Sequence, residues 1–231
     1  MSIYTVMILA AGLGKRLRPY TNKVPKPLIK IGKSTLIEKI IKNLEKLKFK
    51  KIVINLHYLK EKIKKSLNKK HKIDIFFSEE KNLLNTGGGV KNALKIINRK
   101  EFFVINSDIV WSDHNTNPLE NLNNFWDKNK MDALLLLYPI DKDINNLQGD
   151  FGLDDSGKLL KKKKNKPQYI FTGIQILKSS LFNNIKKEIF PLSSIYDQLI
   201  FKKRIYGLVY KGKWSHLGTL ETLKQYKKMI Q

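Results

Sequence analysis

The chain of 231 residues contains no cysteine, so it can form neither disulfides nor thiolate metal sites. This absence agrees with a reducing cytoplasm, which is where we expect the protein to act. No stretch reaches the roughly 18 apolar residues of a membrane-spanning helix. The apolar run from Ile3 to Ala11 is too short to span a bilayer and has no basic leader before it. The sequence therefore predicts a protein with no membrane partner.

Arginine is also scarce, although the formal net charge is +25 at pH 7. Only Arg16, Arg18, Arg99 and Arg204 are arginines, and every other basic residue is a lysine. Proteins that recognise nucleic acids favour arginine for bidentate and stacking contacts, and these lysines are scattered over all the predicted helices. We interpret the charge as compositional and expect no specific nucleic-acid partner. A basic nucleic-acid-binding protein stays open as a competing hypothesis, because charge alone is compatible with it.

Apolar residues make up 42% of the chain, enough for a sizeable core, and we expect a single domain over residues 1–231. Apolar runs predict strands over 3–9, 51–56, 73–78, 102–105, 133–138 and 169–177, and a hairpin over 149–160. Helical spacing predicts helices over 36–47, 59–67, 90–97, 194–203 and 220–229, the first opened by a Thr35–Glu38 capping box. The alternation of strand and helix indicates an α/β fold with a Rossmann-like, mostly parallel sheet flanked by helices.

In such sheets ligands bind beyond the carboxyl ends of the strands. The first predicted strand ends in a loop that contains Gly12, Gly14 and Arg16 and continues to Lys26, which lies between two prolines. Small residues, including Ala11, let the backbone approach a phosphate chain, whose charge N–H groups and Arg16 can meet. The alternative is a glycine turn followed by a basic loop without function.

Asn106, Ser107 and Asp108 follow the fourth predicted strand at the same edge of the sheet. A carboxylate at this place can hold Mg²⁺, which takes one or two carboxylates together with phosphate oxygens. The alternative is an aspartate that caps a turn. We interpret the neighbouring Asp113 as a surface residue and the lysine-rich stretch 161–166 as an exposed loop.

Thr86, Gly87 and Gly88 belong to a third segment, Leu-Asn-Thr-Gly-Gly-Gly, which precedes the helix predicted over 90–97. Glycines that open a helix can let a flat base lie against the backbone, or can hold an anion at the helix start. The alternative is a flexible turn.

The ordered string Gly-x-Gly-x-Arg, Pro, Thr and Pro-Lys-Pro-Leu resembles the signature of the sugar-1-phosphate nucleotidyltransferases. The similarity is strongest to their short bacterial branch, which includes N-acetylmuramate 1-phosphate uridylyltransferase and mannose-1-phosphate guanylyltransferase. The resemblance implies the nucleotide-diphospho-sugar transferase fold. It also implies an enzyme that joins an NTP to a sugar 1-phosphate and releases pyrophosphate. We expect UTP with N-acetylmuramate 1-phosphate first and GTP with mannose 1-phosphate second.

The resemblance also implies roles for individual residues. Those assigned to the nucleotide and its phosphates are Ala11, Gly12, Gly14, Lys15, Arg16, Lys26, Thr86, Gly87, Gly88 and Asn106. Arg16 and Lys26 are the catalytic residues among them, and Asp108 is the metal ligand. Those assigned to the sugar pocket are Asp150, Thr172 and Gly173.

His216 departs from the pattern of the family, in which many members have an aspartate here as a second metal ligand. Imidazole suits Mn²⁺ better than Mg²⁺, so Mn²⁺ is an alternative cofactor if His216 binds the metal. A hydrogen bond to phosphate and a purely structural imidazole are open as well. Without a second carboxylate, a non-catalytic module that binds sugar nucleotides is a further hypothesis. The sequence does not indicate the oligomeric state.

Overall fold

A computed structural model of the chain describes residues 2–112, 117–140, 149–161 and 169–230. Within these ranges the strands are β1 (Thr5–Leu9), β2 (Lys30–Ile31), β3 (Ser34–Thr35), β4 (Lys51–Leu56), β5 (Asp74–Glu79), β6 (Glu101–Asn106), β7 (Ile109–Ser112), β8 (Ala133–Pro139), β9 (Phe151–Leu153), β10 (Leu159–Lys161), β11 (Tyr169–Lys178), β12 (Ile205–Val209) and β13 (Lys213–His216). The α-helices are α1 (Leu36–Lys46), α2 (Lys60–Leu67), α3 (Asn85–Ile97), α4 (Pro118–Phe125), α5 (Ser193–Phe201) and α6 (Leu220–Met229).

The main sheet has the strand order β10-β9-β11-β6-β1-β4-β5, and β8 joins it by pairing with both β11 and β12. Strands β6, β1, β4 and β5 are parallel to one another, as predicted, because helical crossovers connect them. β11 is antiparallel to both β6 and β8, so the sheet is mixed. The predicted fold class, a mostly parallel sheet flanked by helices, is confirmed.

Both faces of the sheet are covered, which explains why β1 is apolar at successive positions. Val6 and Ile8 pack into the cluster that contains Ile37 and Ile40 of α1. Met7, between them, points to the opposite face and joins the cluster that contains residues of α3 and α5. The carboxyl end of β1 is therefore held between two layers of helices. The loop that follows it begins at a tightly packed strand.

The structure corrects the predicted start of one helix. α3 begins at Asn85 rather than at residue 90, so the three glycines lie in its first turns. The reason is close packing, because the N–H groups of Gly87 and Gly88 donate to the carbonyl oxygen of Phe190 at 2.9 and 3.1 Å. Six of these strands and helices were not predicted at all: β2, β3, β7, β12, β13 and α4. Asp113 and most of the lysine-rich stretch, from residue 162 on, lie outside the described residues.

Across the parts of the chain that the structure describes, no helix combines the length and the apolar character that crossing a membrane requires. The longest helix among the described residues, α3, has 13 residues.

Candidate active site

A cleft of about 600 Å³ opens where β1, β4, β5 and β6 end. It brings together most of the residues that the motifs single out: Ala11, Gly12, Gly14, Lys15, Arg16, Lys26, Thr86, Asn106 and Asp108. A second cavity, of about 540 Å³ between α2 and β5, contains none of them. The glycine loop, the proline-flanked lysine and the strand-end aspartate therefore face one space.

The glycine loop is closed by Thr21, whose hydroxyl donates to the carbonyl oxygen of Gly14 at 2.8 Å. Gly14 has a left-handed backbone (φ 63°), and a Cβ there would lie 2.8 Å from the Thr21 methyl carbon, so only glycine fits. The Tyr58 hydroxyl in turn donates to the Thr21 carbonyl at 2.9 Å. These contacts start a 3-10 turn over Lys15–Leu17 that buries Leu17 and leaves the basic side chains before it at the cleft.

Lys26 and His216 converge on one oxygen of Asp108. The Lys26 ammonium donates to Asp108 Oδ2, and His216 Nε2 lies 3.0 Å from the same atom. Because a carboxylate only accepts hydrogen bonds, Nε2 is the protonated nitrogen of the ring. Only 13% of the Lys26 side chain and 16% of the Asp108 side chain are exposed, so this ion pair is shielded from bulk water.

The same contacts keep Asp108 ionised. Burial would by itself raise the pKa of Asp108, but the hydrogen bond from His216 and the positive charge of Lys26 outweigh burial and hold the pKa below its ordinary value. The carboxylate is therefore negative at neutral pH and able to accept a cation.

His216 reaches the site through a small two-stranded sheet that sequence patterns did not reveal. β13 is antiparallel to β7, with His216 opposite Ile109, and the Leu217 N–H donates to the Asp108 carbonyl oxygen at 2.8 Å. The His216 ring lies against the backbone of Gly218, where a Cβ would be 2.4 Å from the imidazole carbon Cε1. The glycine thus lets the ring turn toward the carboxylate.

Residues 5–231 match the family model described as "Nucleotidyl transferase". The chain belongs to this family. Membership confirms the resemblance that the glycine loop indicated, and it makes the protein an enzyme of the nucleotidyltransferase class.

Two relatives from this family illustrate the range of similarity. The chain is 29% identical to N-acetylmuramate alpha-1-phosphate uridylyltransferase of Caulobacter vibrioides, over 92% of this chain and 90% of that protein. It is 30% identical to mannose-1-phosphate guanyltransferase of Yarrowia lipolytica, over 92% of this chain but 60% of that protein.

Two solved structures share the fold of this chain. UDP-glucose pyrophosphorylase complexed with UDP-glucose superposes with a TM-score of 0.82 at 16% identity, covering 99% of this chain and 98% of that one. HddC from Yersinia pseudotuberculosis superposes with a TM-score of 0.79 at 23% identity, covering 99% and 100%.

Nucleotidyl transferases generally use divalent metal ions, so a metal site in this cleft needs suitable donor atoms near Asp108. Within residues 2–112, 117–140, 149–161 and 169–230, no three His, Cys, Asp or Glu side chains are grouped so that they could hold a metal ion. Asp108 would supply one carboxylate oxygen, and His216 would supply one imidazole nitrogen once Nε2 has released its proton. This pair fits an ion that takes its remaining ligands from phosphate oxygens and water, as Mg²⁺ does at phosphate sites.

Thr86, Gly87 and Gly88 make contacts that the sequence did not predict. The Thr86 hydroxyl accepts from the Leu192 N–H at 2.9 Å, and the two glycines bind Phe190 as described above. A Cβ on Gly88 would lie 2.0 Å from the carbonyl oxygen of Glu188. The first turn of α3 is therefore packed against residues 188–192, and of these three residues only Thr86 lines the cleft.

We expect Gly88 and Gly12 to respond differently to a single added methyl group. Gly88→Ala should lower the free energy of unfolding by about 1–3 kcal/mol, because the Cβ must displace backbone. A Cβ on Gly12 meets nothing within 4 Å, so Gly12→Ala should keep the melting temperature but weaken nucleotide binding by filling the cleft. Thermal melting and nucleotide titration of both variants check this. Equal melting temperatures would contradict the packing role of Gly88.

The three residues assigned to the sugar pocket lie outside the lining of the cleft. Asp150 directly precedes β9, and Thr172 and Gly173 belong to β11. Asp150 Oδ2 accepts from the Phe171 N–H at 2.9 Å, and the buried Thr172 hydroxyl donates to the Leu136 carbonyl at 2.9 Å. A Cβ on Gly173, whose φ is 87°, would lie 2.8 Å from Asn106 Nδ2. Because Gly173 has no side chain, Asn106 of the cleft lining can approach β11 closely at this point.

Sequence reasoning missed a buried polar network, formed by Asn55 and Glu80, beneath the cleft. Asn55 Oδ1 accepts from the Ala10 N–H at 2.8 Å, and Asn55 Nδ2 donates to Glu80 Oε1 at 2.7 Å. Glu80 Oε2 accepts from the Leu84 N–H at 3.0 Å. Because buried polar groups must be paired, this network of hydrogen bonds fixes the start of the glycine loop relative to the segment before α3. The signal was a polar residue within or after an apolar strand.

Proposed function

We propose that this enzyme transfers a nucleotidyl group from an NTP to a sugar 1-phosphate, giving an NDP-sugar and pyrophosphate. The observation that carries the proposal is the convergence of the glycine loop, Lys26 and Asp108 in one cleft. Backbone N–H groups, three basic side chains and a shielded carboxylate are what a metal-bound triphosphate requires. The relatives named for uridylyl and guanylyl transfer to sugar 1-phosphates support the same reaction.

In the proposed reaction a phosphate oxygen of the sugar 1-phosphate attacks the α-phosphorus of the NTP. A new P–O bond forms, the bond from the α-phosphorus to the bridging oxygen breaks, and pyrophosphate leaves in line with the attacking oxygen. No general base is needed, because the attacking phosphate is already ionised at neutral pH. Catalysis then depends on positioning and on neutralising charge.

The basic side chains, Asp108 and His216 each have a defined part in this proposal. Arg16, at the edge of the glycine loop, offsets charge on the departing pyrophosphate together with Lys15. Lys26 exchanges the Asp108 oxygen for the α-phosphate and steers the incoming phosphate. A divalent ion held by Asp108 and His216 would neutralise further phosphate charge, and we propose Mg²⁺, with Mn²⁺ favoured to the extent that the imidazole binds.

For the substrate pair we propose UTP with N-acetylmuramate 1-phosphate. The relative of that specificity in C. vibrioides matches this chain over 90% of its own length, whereas the guanyltransferase of Y. lipolytica is matched over 60%. GTP with mannose 1-phosphate is the second candidate, supported by that relative at 30% identity.

A pyrophosphate-release assay that crosses the common NTPs with several sugar 1-phosphates tests the proposal, in Mg²⁺ and separately in Mn²⁺. We expect one pair to exceed the others by at least about tenfold in kcat/KM, since each 1.4 kcal/mol of discrimination gives a factor of ten. Nucleotide binding without any turnover would instead favour the non-catalytic module.

A further inference from the structure

Two apolar side chains are well exposed in the cleft that contains Lys26 and Asp108. Ile189 is 59% exposed and Leu83 is 37% exposed, and both belong to the cleft lining. Neither belongs to a motif of the sequence, and neither has a part in the chemistry described above. Exposed apolar groups that converge in a concave site mark a surface for the apolar part of a ligand.

Ile189 is held in place by the residues that directly follow it. Phe190 donates its N–H to the Leu84 carbonyl at 3.2 Å, and its own carbonyl accepts from Gly87 and Gly88. The Leu192 N–H is bound by the Thr86 hydroxyl at 2.9 Å. Four hydrogen bonds therefore join residues 190–192 to residues 84–88, and the two close-packed glycines leave this segment little room to move.

The buried polar network of Asn55 and Glu80 fixes Leu83 in the same way. Its neighbour Leu84 donates its N–H to Glu80 Oε2, and Glu80 is bound through Asn55 to the first residue of the glycine loop. The two apolar side chains and the phosphate-binding loop thus belong to one hydrogen-bonded framework. A ligand that spans from the loop to Leu83 meets a preformed surface.

The order of the strands separates the two ends of the cleft. Lys26 and Asp108 lie where β1 and β6 end, whereas Leu83 follows β5, the outer strand beyond β4. A nucleotide whose phosphates occupy the charged end has its base toward the β5 end. The flat faces of a base are apolar, and branched aliphatic side chains bury them at a favourable free energy.

We propose that Leu83 and Ile189 hold the nucleobase of the NTP by contact with its faces, and that Ile189 thereby sets nucleotide affinity. The proposal rests on the proposed function, because it takes an NTP as the ligand of the cleft. The contact is with the base, so it adds nothing to the binding of a bare phosphate chain.

The test compares the wild-type enzyme with Ile189→Ala by calorimetric titration of two probes. One probe is the NTP that the pyrophosphate assay selects, and the other is inorganic tripolyphosphate, which has the same charged groups and no base. Removing the larger part of the aliphatic side chain should weaken NTP binding by about 10-fold and leave tripolyphosphate binding unchanged. Leu83→Ala should give the same selective loss.

Phe201→Ala is the matched control, because Phe201 is 89% exposed and lies outside the cleft lining. Its affinity for both probes should equal that of the wild type, and the melting temperatures of all variants should agree. Unchanged NTP affinity in Ile189→Ala, or an equal loss for tripolyphosphate, would overturn the base contact. Wild-type enzyme that binds tripolyphosphate but no NTP would overturn the proposed function and the base contact together.

Discussion

Lys26→Ala is expected to lower kcat by about 100-fold or more while the protein stays folded. Removing a single preorganised donor from a site where charge develops costs about 10²–10³ in rate, and Lys26 is the ammonium nearest to the Asp108 carboxylate. The effect should fall on kcat more than on the KM for NTP, because the proposed contact with the reacting phosphates strengthens in the transition state. Steady-state kinetics of pyrophosphate release measure both constants.

The fold should tolerate this change because Asp108 keeps its hydrogen bond to His216. Lys60→Ala is the matched control, since it removes a lysine from an ion pair with Glu79 at 2.6 Å, exposed and outside the cleft lining. Exposed pairs contribute about 0–1 kcal/mol, so Lys60→Ala should retain both its rate and its melting temperature. A near-normal rate in Lys26→Ala would contradict the catalytic role. An equal loss of rate in Lys60→Ala would indicate that the rate depends on the overall positive charge and not on Lys26 itself.

The first half of the fold was predictable because its signals are local. β4 matches the predicted range over Lys51–Leu56, and α1 opens with the predicted capping box, in which Glu38 N–H donates to the Thr35 hydroxyl at 3.3 Å. Buried parallel strands are continuous apolar runs, and amphipathic helices repeat every 3.6 residues. The glycine loop could be located for the same reason, since its glycines and prolines follow directly on β1.

Three of the missed strands, β7, β12 and β13, depend on partners that are distant in the chain. β13 is short and half-buried, and it is a strand because it pairs with β7, about a hundred residues earlier. β12 pairs in parallel with β8 and needs the position of that strand to be known. For α4 a local signal was present and overlooked: Asn117 caps the helix and Pro118 occupies its first turn.

The residues of the site show the same contrast between local sequence signals and contacts of distant residues. Asp108 and Lys26 stand in recognisable strings, whereas the bond from His216 to Asp108 joins residues 108 positions apart. The start of α3 was predicted five residues too late for a different reason. Glycines favour turns, but here the lack of a side chain serves close packing against residues 188–190, and sequence alone does not separate these two uses.

Asp108→Asn is expected to lower turnover by at least about 100-fold and to remove its dependence on a divalent metal, since a bound metal ion contributes several kcal/mol of charge stabilisation. The amide has the shape of the carboxylate, so the surrounding packing is preserved. It has no negative charge, however, and it can satisfy Lys26 only through its carbonyl oxygen. Activity measured across a series of Mg²⁺ and Mn²⁺ concentrations checks the metal dependence.

A second measurement separates the metal from the ion pair. Mn²⁺ binding in the presence of NTP, followed by electron paramagnetic resonance, should be weakened in Asp108→Asn and unchanged in Asp197→Asn. The control removes an exposed carboxylate that pairs with Lys161 at 3.1 Å, outside the cleft lining. If Asp108→Asn keeps wild-type Mn²⁺ affinity but loses activity, Asp108 acts by orienting Lys26 and not by holding the ion. Full Mg²⁺-dependent turnover in Asp108→Asn would reject both roles, because the two depend on the same negative charge.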